Sequence, residues 1–124
     1  MATVNLTSET FKDVVGGEGI TLVDWWARWC GPCRMFAPIF EAASAQYDDI
    51  TFAKVDTEAE SQLAGAAQIR SIPTLMAFRD GVLVFSQPGA LPAPALGQVI
   101  QAVRDIDMDD VRRQIAEHAS SRSA

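Results

Sequence analysis

The stretch that decides the fold is Val23-Asp24-Trp25-Trp26-Ala27-Arg28-Trp29-Cys30-Gly31-Pro32-Cys33, which contains both cysteines of the chain. Its first part is an apolar run rich in strand-forming residues, and Gly31-Pro32 breaks it before a segment with helical spacing. Cys30 therefore lies at the start of a predicted helix, where unpaired N–H groups and the helix dipole lower a thiol's pKa. Because Cys33 lies one turn further on, a disulfide between them is sterically feasible. The stretch predicts a site of dithiol–disulfide exchange.

Outward from this stretch, the hydrophobic pattern predicts alternating strands and helices followed by a hairpin. The run from Ile20 to Ala27 is nearly all apolar, which indicates a central strand covered on both faces. Asp80-Gly81 between two apolar runs predicts a hairpin turn. Pro38 lies inside the helix expected from Cys33 to Gln46, so a kink is expected there. The other strands are expected at 4–6, 50–56, 74–79 and 82–87, and the other helices at 7–15, 60–67 and 94–104.

This order predicts an α/β domain over residues 1–105. The first half is βαβ-like and implies three parallel strands, and the hairpin adds two antiparallel ones. The result is a central mixed five-stranded sheet flanked by four helices. Residues 106–124 are expected to be a C-terminal extension, with a short extra helix to about His118 and then a frayed, Ser-rich tail.

Charge and composition exclude several classes of partner. The formal net charge is −6, which argues against nucleic acid or an anionic membrane surface as the main partner. No run of about 18 apolar residues predicts a membrane span. Residues 1–10 lack the pattern of a secretory signal, and a single CxxC is typical of redox chemistry, so we expect a cytoplasmic protein. A monomer is expected.

Three residues of the opening stretch are candidates for the chemistry. Cys30 is the expected nucleophile, on the accessible side of the loop, and Cys33 is the expected resolving thiol, deeper and less acidic. Asp24 lies in the most apolar strand, where a buried carboxylate has a raised pKa suited to proton transfer; the alternative is a side chain facing solvent. A zinc half-site is the competing interpretation of the cysteines. It needs two more ligands, for which only His118 and carboxylates are available, so no metal is expected.

Beyond the cysteines, several segments carry a family resemblance. Trp29-Cys30-Gly31-Pro32-Cys33, the strand before it and Ile69-Arg70-Ser71-Ile72-Pro73-Thr74 together resemble thioredoxins, over about residues 3–105. Lys54-Val55-Asp56, Phe78-Arg79-Asp80-Gly81 and Gly89-Ala90 are similar too. The resemblance implies the thioredoxin fold and reduction of protein disulfides. It also implies that Asp24 helps to deprotonate Cys33 and that Lys54 pairs with Asp24, although Lys54 could equally be an ordinary surface lysine.

The resemblance also implies how substrates and electrons reach the site. The Ile72–Pro73 bond is expected to be cis, which would expose the backbone of Ile72 for strand-like pairing with a substrate chain. An oxidised protein would dock on a flat apolar patch. Thioredoxin reductase, with NADPH and a flavin, is the implied electron donor. The chain has no GxGxxG nucleotide-binding loop. We expect that it needs no cofactor of its own. The residues expected to bind the substrate are Trp29, Gly31, Pro32, Ile72, Pro73, Gly89 and Ala90.

Two positions depart from the family pattern near the site. Arg28 stands where an acidic or small residue is frequent, and Pro88 is expected to shorten or free the edge of the last strand. Neither residue touches the thiols, so we expect these departures to affect the choice of partner and not the chemistry. Two other functions stay open: a thiol oxidase or isomerase of an oxidising compartment, and a binding subunit in which the thiols act as a switch.

Overall fold

Five strands form one mixed sheet in the order β1-β3-β2-β4-β5. The computed structural model describes residues 3–123, with side chains described as far as residue 120. The first three strands in this order are parallel, and β4 and β5 are antiparallel. The predicted arrangement of three parallel strands and a hairpin is confirmed. The strands are β1 (Val4–Asn5), β2 (Ile20–Trp26), β3 (Ile50–Asp56), β4 (Thr74–Arg79) and β5 (Val82–Pro88).

Helices cover both faces of the sheet. Two of them, α2 and α4, pack over one core, and α1 and α3 pack over the second core on the opposite face. None of the helices in the described part of the chain combines the length and the apolar composition that a membrane span requires. The helices are α1 (Phe11–Val15), α2 (Gly31–Gln46), α3 (Ser61–Ala66), α4 (Ala93–Arg104) and α5 (Met108–Ser123).

Strand β2 is central and buried, as its composition predicts. Six of its seven residues are buried. Side chains alternate along a strand, so Leu22 lies in the core beneath α2 and α4 while Val23 lies in the core beneath α1 and α3. Asp24, two residues after Leu22, therefore lies on the face that α2 covers. This alternation places a carboxylate under the helix that carries the cysteines.

The hairpin confirms one prediction and corrects another. Asp80 and Gly81 have φ of 52° and 81°, the two consecutive positive values that a tight hairpin turn needs. Pro88 does not shorten β5, because it is the last residue of that strand and pairs with Thr74. A proline is tolerated there since β5 is an edge strand. Pro38 does lie inside α2, and the kink expected at that position stays a prediction.

The C-terminal helix is longer than expected. It continues to Ser123, where a short helix to about His118 and a frayed tail were expected. The physical reason is that no Gly or Pro between residues 108 and 123 interrupts it. Ala124 lies outside the described residues.

Polar contacts attach the start of α5 to the end of β4. Arg79 Nη1 donates hydrogen bonds of 2.6–3.0 Å to three carbonyl oxygens of the α4–α5 connection. Arg112 forms an ion pair of 3.1 Å with Asp80, and the side chain of Met108 is buried. The first turns of α5 therefore belong to the packed structure. The three acceptors of Arg79 are the carbonyls of Val103, Arg104 and Ile106.

Candidate active site

The first turn of α2 holds both cysteines. Cys30 is the N-cap residue, and its Sγ accepts a hydrogen bond of 3.1 Å from the backbone N–H of Cys33. Pro32 lies in this first turn, where its missing N–H leaves no hydrogen bond unmade. A sulfur at this position faces unpaired N–H groups at the positive end of a 16-residue helix, so the geometry stabilises a thiolate on Cys30.

Cys30 and Cys33 are joined by a disulfide, with their Cα atoms 5.2 Å apart. Cys30 retains 4% of its surface and Cys33 retains 2%. The expectation that Cys30 is accessible is therefore wrong for the disulfide form, because Trp26 and Ile72 pack against the pair. The Sγ of Cys30 lies 3.6 Å from the carbonyl oxygen of Ile72, which could accept a hydrogen bond from the thiol after reduction.

Asp24 is completely buried, which excludes the alternative that it faces solvent. Neither carboxylate oxygen has a hydrogen-bond partner within the part of the chain that the structure describes. Burial raises the pKa of Asp24 from 3.8 to about 7, against the opposing charge of Lys54, which lowers it. A carboxyl group that titrates near neutral pH can accept and return a proton under physiological conditions.

Lys54 is the neighbour of Asp24 on strand β3, where the two residues are register partners. Its side chain is half-buried. The Nζ atom lies 5.0 Å from the ring centroid of Trp26, a distance typical of a cation–π contact. Among the described residues, no ion pair within 4.0 Å involves Lys54. Lys54 thus acts on Asp24 through space, without a direct salt bridge.

The surface around the disulfide combines segments that are distant in the sequence. Trp29 is 66% exposed, and it lines a groove of about 210 Å³ together with Ile72. The Ile72–Pro73 bond is cis, as the resemblance implies. The backbone N–H of Gly89 donates a hydrogen bond of 2.7 Å to the carbonyl of Pro73, which holds the segment after β5 beside this bond.

The other predicted contact residues divide into exposed and buried ones. Pro32, Gly89 and Ala90 are exposed and Gly31 is half-buried, so all four can meet a partner. The side chain of Pro73 is fully buried. A substrate therefore cannot meet this buried ring directly, and the expected contact of Pro73 with substrate stays a prediction.

Two residues outside the predicted set also shape the site. Arg34 Nη1 donates a hydrogen bond of 2.8 Å to the carbonyl of Arg28, which fixes the segment before Trp29 to α2. Thr57 donates to the carbonyl of Trp26 through its N–H at 2.9 Å and its hydroxyl at 3.1 Å. For Arg34, its position directly after Cys33 is the sequence signal that places it near the site. No such signal exists for Thr57, because its contact with Trp26 depends on the pairing of β2 with β3.

Comparisons with known proteins agree with this geometry. The thioredoxin family model matches residues 2–102. The chain is 52% identical over 116 residues to putative thioredoxin 2 of Streptomyces coelicolor, covering 94% of this chain and 87% of that protein. It is 43% identical over 102 residues to thioredoxin 1 of a Nostoc species, covering 81% and 95%. The spinach chloroplast thioredoxin f structure superposes with a TM-score of 0.76 at 30% identity, covering 83% and 94%.

The fold, the capped cysteine pair and these similarities are consistent with one another. The mixed five-stranded sheet is the thioredoxin fold, and the cysteine pair occupies its redox-active position. The match to the Streptomyces protein covers enough of the chain to extend past Arg104 into α5. The chain therefore belongs to the thioredoxin family and is a thiol–disulfide oxidoreductase.

Proposed function

We propose that this chain reduces disulfides in other proteins, with Cys30 as the nucleophile and Cys33 as the resolving thiol. The Cys30 thiolate attacks one sulfur of the substrate disulfide, whose S–S bond breaks as a mixed disulfide forms and the other substrate sulfur leaves as a thiolate. The Cys33 thiolate then attacks Cys30 Sγ. The second substrate thiol is released and the Cys30–Cys33 disulfide forms, so two electrons pass to the substrate.

The observation that carries this assignment is the hydrogen bond from the Cys33 N–H to Cys30 Sγ at the N-terminus of α2. This contact and the helix dipole both favour negative charge on Cys30 and not on Cys33. A thiolate is the attacking species, so the favoured thiolate makes the first attack. Cys33, one turn into the helix, is then in place to attack the mixed disulfide from within.

Asp24 is proposed as the group that removes the proton from Cys33. Its carboxyl lies beneath α2 and its pKa is raised to about 7 by burial. A base with a pKa near the working pH can both accept the proton and release it in the next cycle. Lys54 is proposed to tune this carboxyl, since its charge opposes the effect of burial.

Substrates are proposed to dock on the exposed face formed by Trp29, Ile72 and Gly89. The aromatic ring of Trp29 offers a large apolar contact, and the backbone of Ile72 lies next to Cys30 Sγ. An extended substrate chain lying along this face brings its disulfide to the N-terminus of α2. Gly31, Pro32 and Ala90 complete the contact surface.

Electrons are proposed to return to the protein from thioredoxin reductase, through NADPH and a flavin held by that enzyme. The cytoplasm is the proposed location, since a reducing compartment keeps cysteine thiols reduced. A monomer is the proposed working form.

The function is tested by mixing the protein with insulin, a thioredoxin reductase and NADPH. We expect NADPH consumption with the wild type and none with Cys30→Ser. The matched control is Cys30→Ser combined with Ser120→Cys, which keeps two thiols but separates them. Turnover by this control, or none by the wild type, would contradict the proposal. A redox potential of about −180 mV, the value of disulfide isomerase, would instead favour the oxidising alternative.

A further inference from the structure

The arginine side chains divide into two groups by their partners. Arg104 and Arg112 each pair with an aspartate of a neighbouring element, and Arg113 pairs with Asp110. Arg79 donates its hydrogen bonds to backbone carbonyl oxygens. Among the arginines whose side chains the structure describes, Arg79 and three others have no carboxylate within 4.0 Å. Only the three others are exposed: Arg28, Arg34 and Arg70.

These three exposed arginines lie in segments that border the disulfide site. Arg28 directly precedes Trp29, and Arg34 directly follows Cys33 and donates to the carbonyl of Arg28. Arg70 lines the groove that contains Trp29 and Ile72. The formal net charge of the whole chain is −6. The positive charge of these arginines therefore contrasts with the negative charge of the molecule as a whole.

Carboxylates near these arginines are unevenly placed. Asp56 and Glu58 line the same groove as Arg28, and Asp56 Oδ1 accepts hydrogen bonds from the N–H groups of Glu58 and Ala59. The two grooves that Arg70 lines have no carboxylate among their described lining residues. The carboxylates of Asp56 and Glu58 therefore partly cancel the positive potential of Arg28 in its groove. No carboxylate in the grooves of Arg70 has the same effect on Arg70.

We infer that Arg70 and Arg34 select disulfides flanked by acidic side chains, and that Arg28 contributes less. This inference rests on the proposed function, because it concerns the substrate class of the same site. An aspartate or glutamate next to the target disulfide meets a guanidinium that has no carboxylate partner, whereas a lysine there is repelled. Such exposed charges act on the encounter with the substrate and weaken with added salt.

The test uses two synthetic peptides with one internal disulfide, identical except that the flanking residues are Glu in one and Lys in the other. The reduced protein is mixed with each peptide without reductase, and Trp fluorescence follows its oxidation. At low ionic strength we expect the Glu peptide to be reduced about fivefold faster, from the range measured for exposed charge pairs. The preference should approach unity at about 0.5 M salt.

Charge-reversal variants show which arginines cause the preference for the Glu peptide. Arg70→Glu and Arg34→Glu should abolish or invert the preference, Arg28→Glu should reduce it less, and the control Arg113→Glu on α5 should keep it. Equal rates for the two peptides with the wild type, or an equal loss in Arg113→Glu, would overturn the inference. Insulin reduction by the same wild-type sample separates the two failures: if insulin is reduced while the peptides are not distinguished, only the inference fails.

Discussion

Replacing Asp24 by Asn removes a buried ionisable group, and its effect on stability can be worked out from the structure. The pKa of Asp24 rises from 3.8 to about 7 because the carboxyl is buried. The folded protein therefore holds a proton that the unfolded chain releases, so stability falls as pH rises through this window. Above pH 7 the full penalty is about 4 kcal/mol, at 1.36 kcal/mol for each pKa unit. Asn cannot ionise, so Asp24→Asn escapes this penalty.

Urea unfolding of the oxidised wild type and of Asp24→Asn, from about pH 5 to about pH 9, measures this effect. We expect the stability advantage of the variant to grow by about 3 kcal/mol over that range and to level off above pH 7. Asp48→Asn, which changes an exposed carboxylate, is the matched control and should follow the wild type. Parallel curves for the wild type and Asp24→Asn would refute the argument that Asp24 is buried with a raised pKa.

Two further predictions concern packing away from the cysteines. Met108→Ala should lower the free energy of unfolding by about 2 kcal/mol in urea titrations, because the side chain is buried; an unchanged midpoint would show that α5 does not pack on the domain. Gly81→Ala should lower the melting temperature, since φ is +81° and the added Cβ would lie 3.2 Å from the Gly16 carbonyl oxygen. An equal or higher melting temperature would contradict the hairpin geometry.

Much of the fold follows from local signals in the sequence. The apolar run of β2 and the Asp80-Gly81 turn depend on neighbouring residues alone, and the structure confirms both. The same run favours burial of Asp24, but it leaves open a side chain that faces solvent, and the structure decides for burial. The N-cap position of Cys30 is also local, because Gly31-Pro32 marks where the strand ends and the helix begins.

Other features depend on contacts between distant residues, which no local pattern contains. The cation–π contact of Lys54 with Trp26 needs the register of β2 against β3. The burial of Cys30 arises because Ile72, 42 positions later, packs against the disulfide. The attachment of α5 through Arg112 and Asp80 joins residues 32 positions apart. The full length of α5 does not follow from the local pattern, because exposed polar residues of this kind are typical of a frayed tail as well as of a solvated helix.

The most direct test of the account is to identify which cysteine forms the mixed disulfide. Reduced Cys33→Ser and reduced Cys30→Ser are each mixed with a disulfide-bonded protein substrate and analysed by mass spectrometry without reductant. We predict that Cys33→Ser accumulates a covalent adduct at Cys30, because the resolving thiol is absent, and that Cys30→Ser forms little adduct. An adduct that forms faster at Cys33 than at Cys30 would contradict the assignment of nucleophile and resolving thiol.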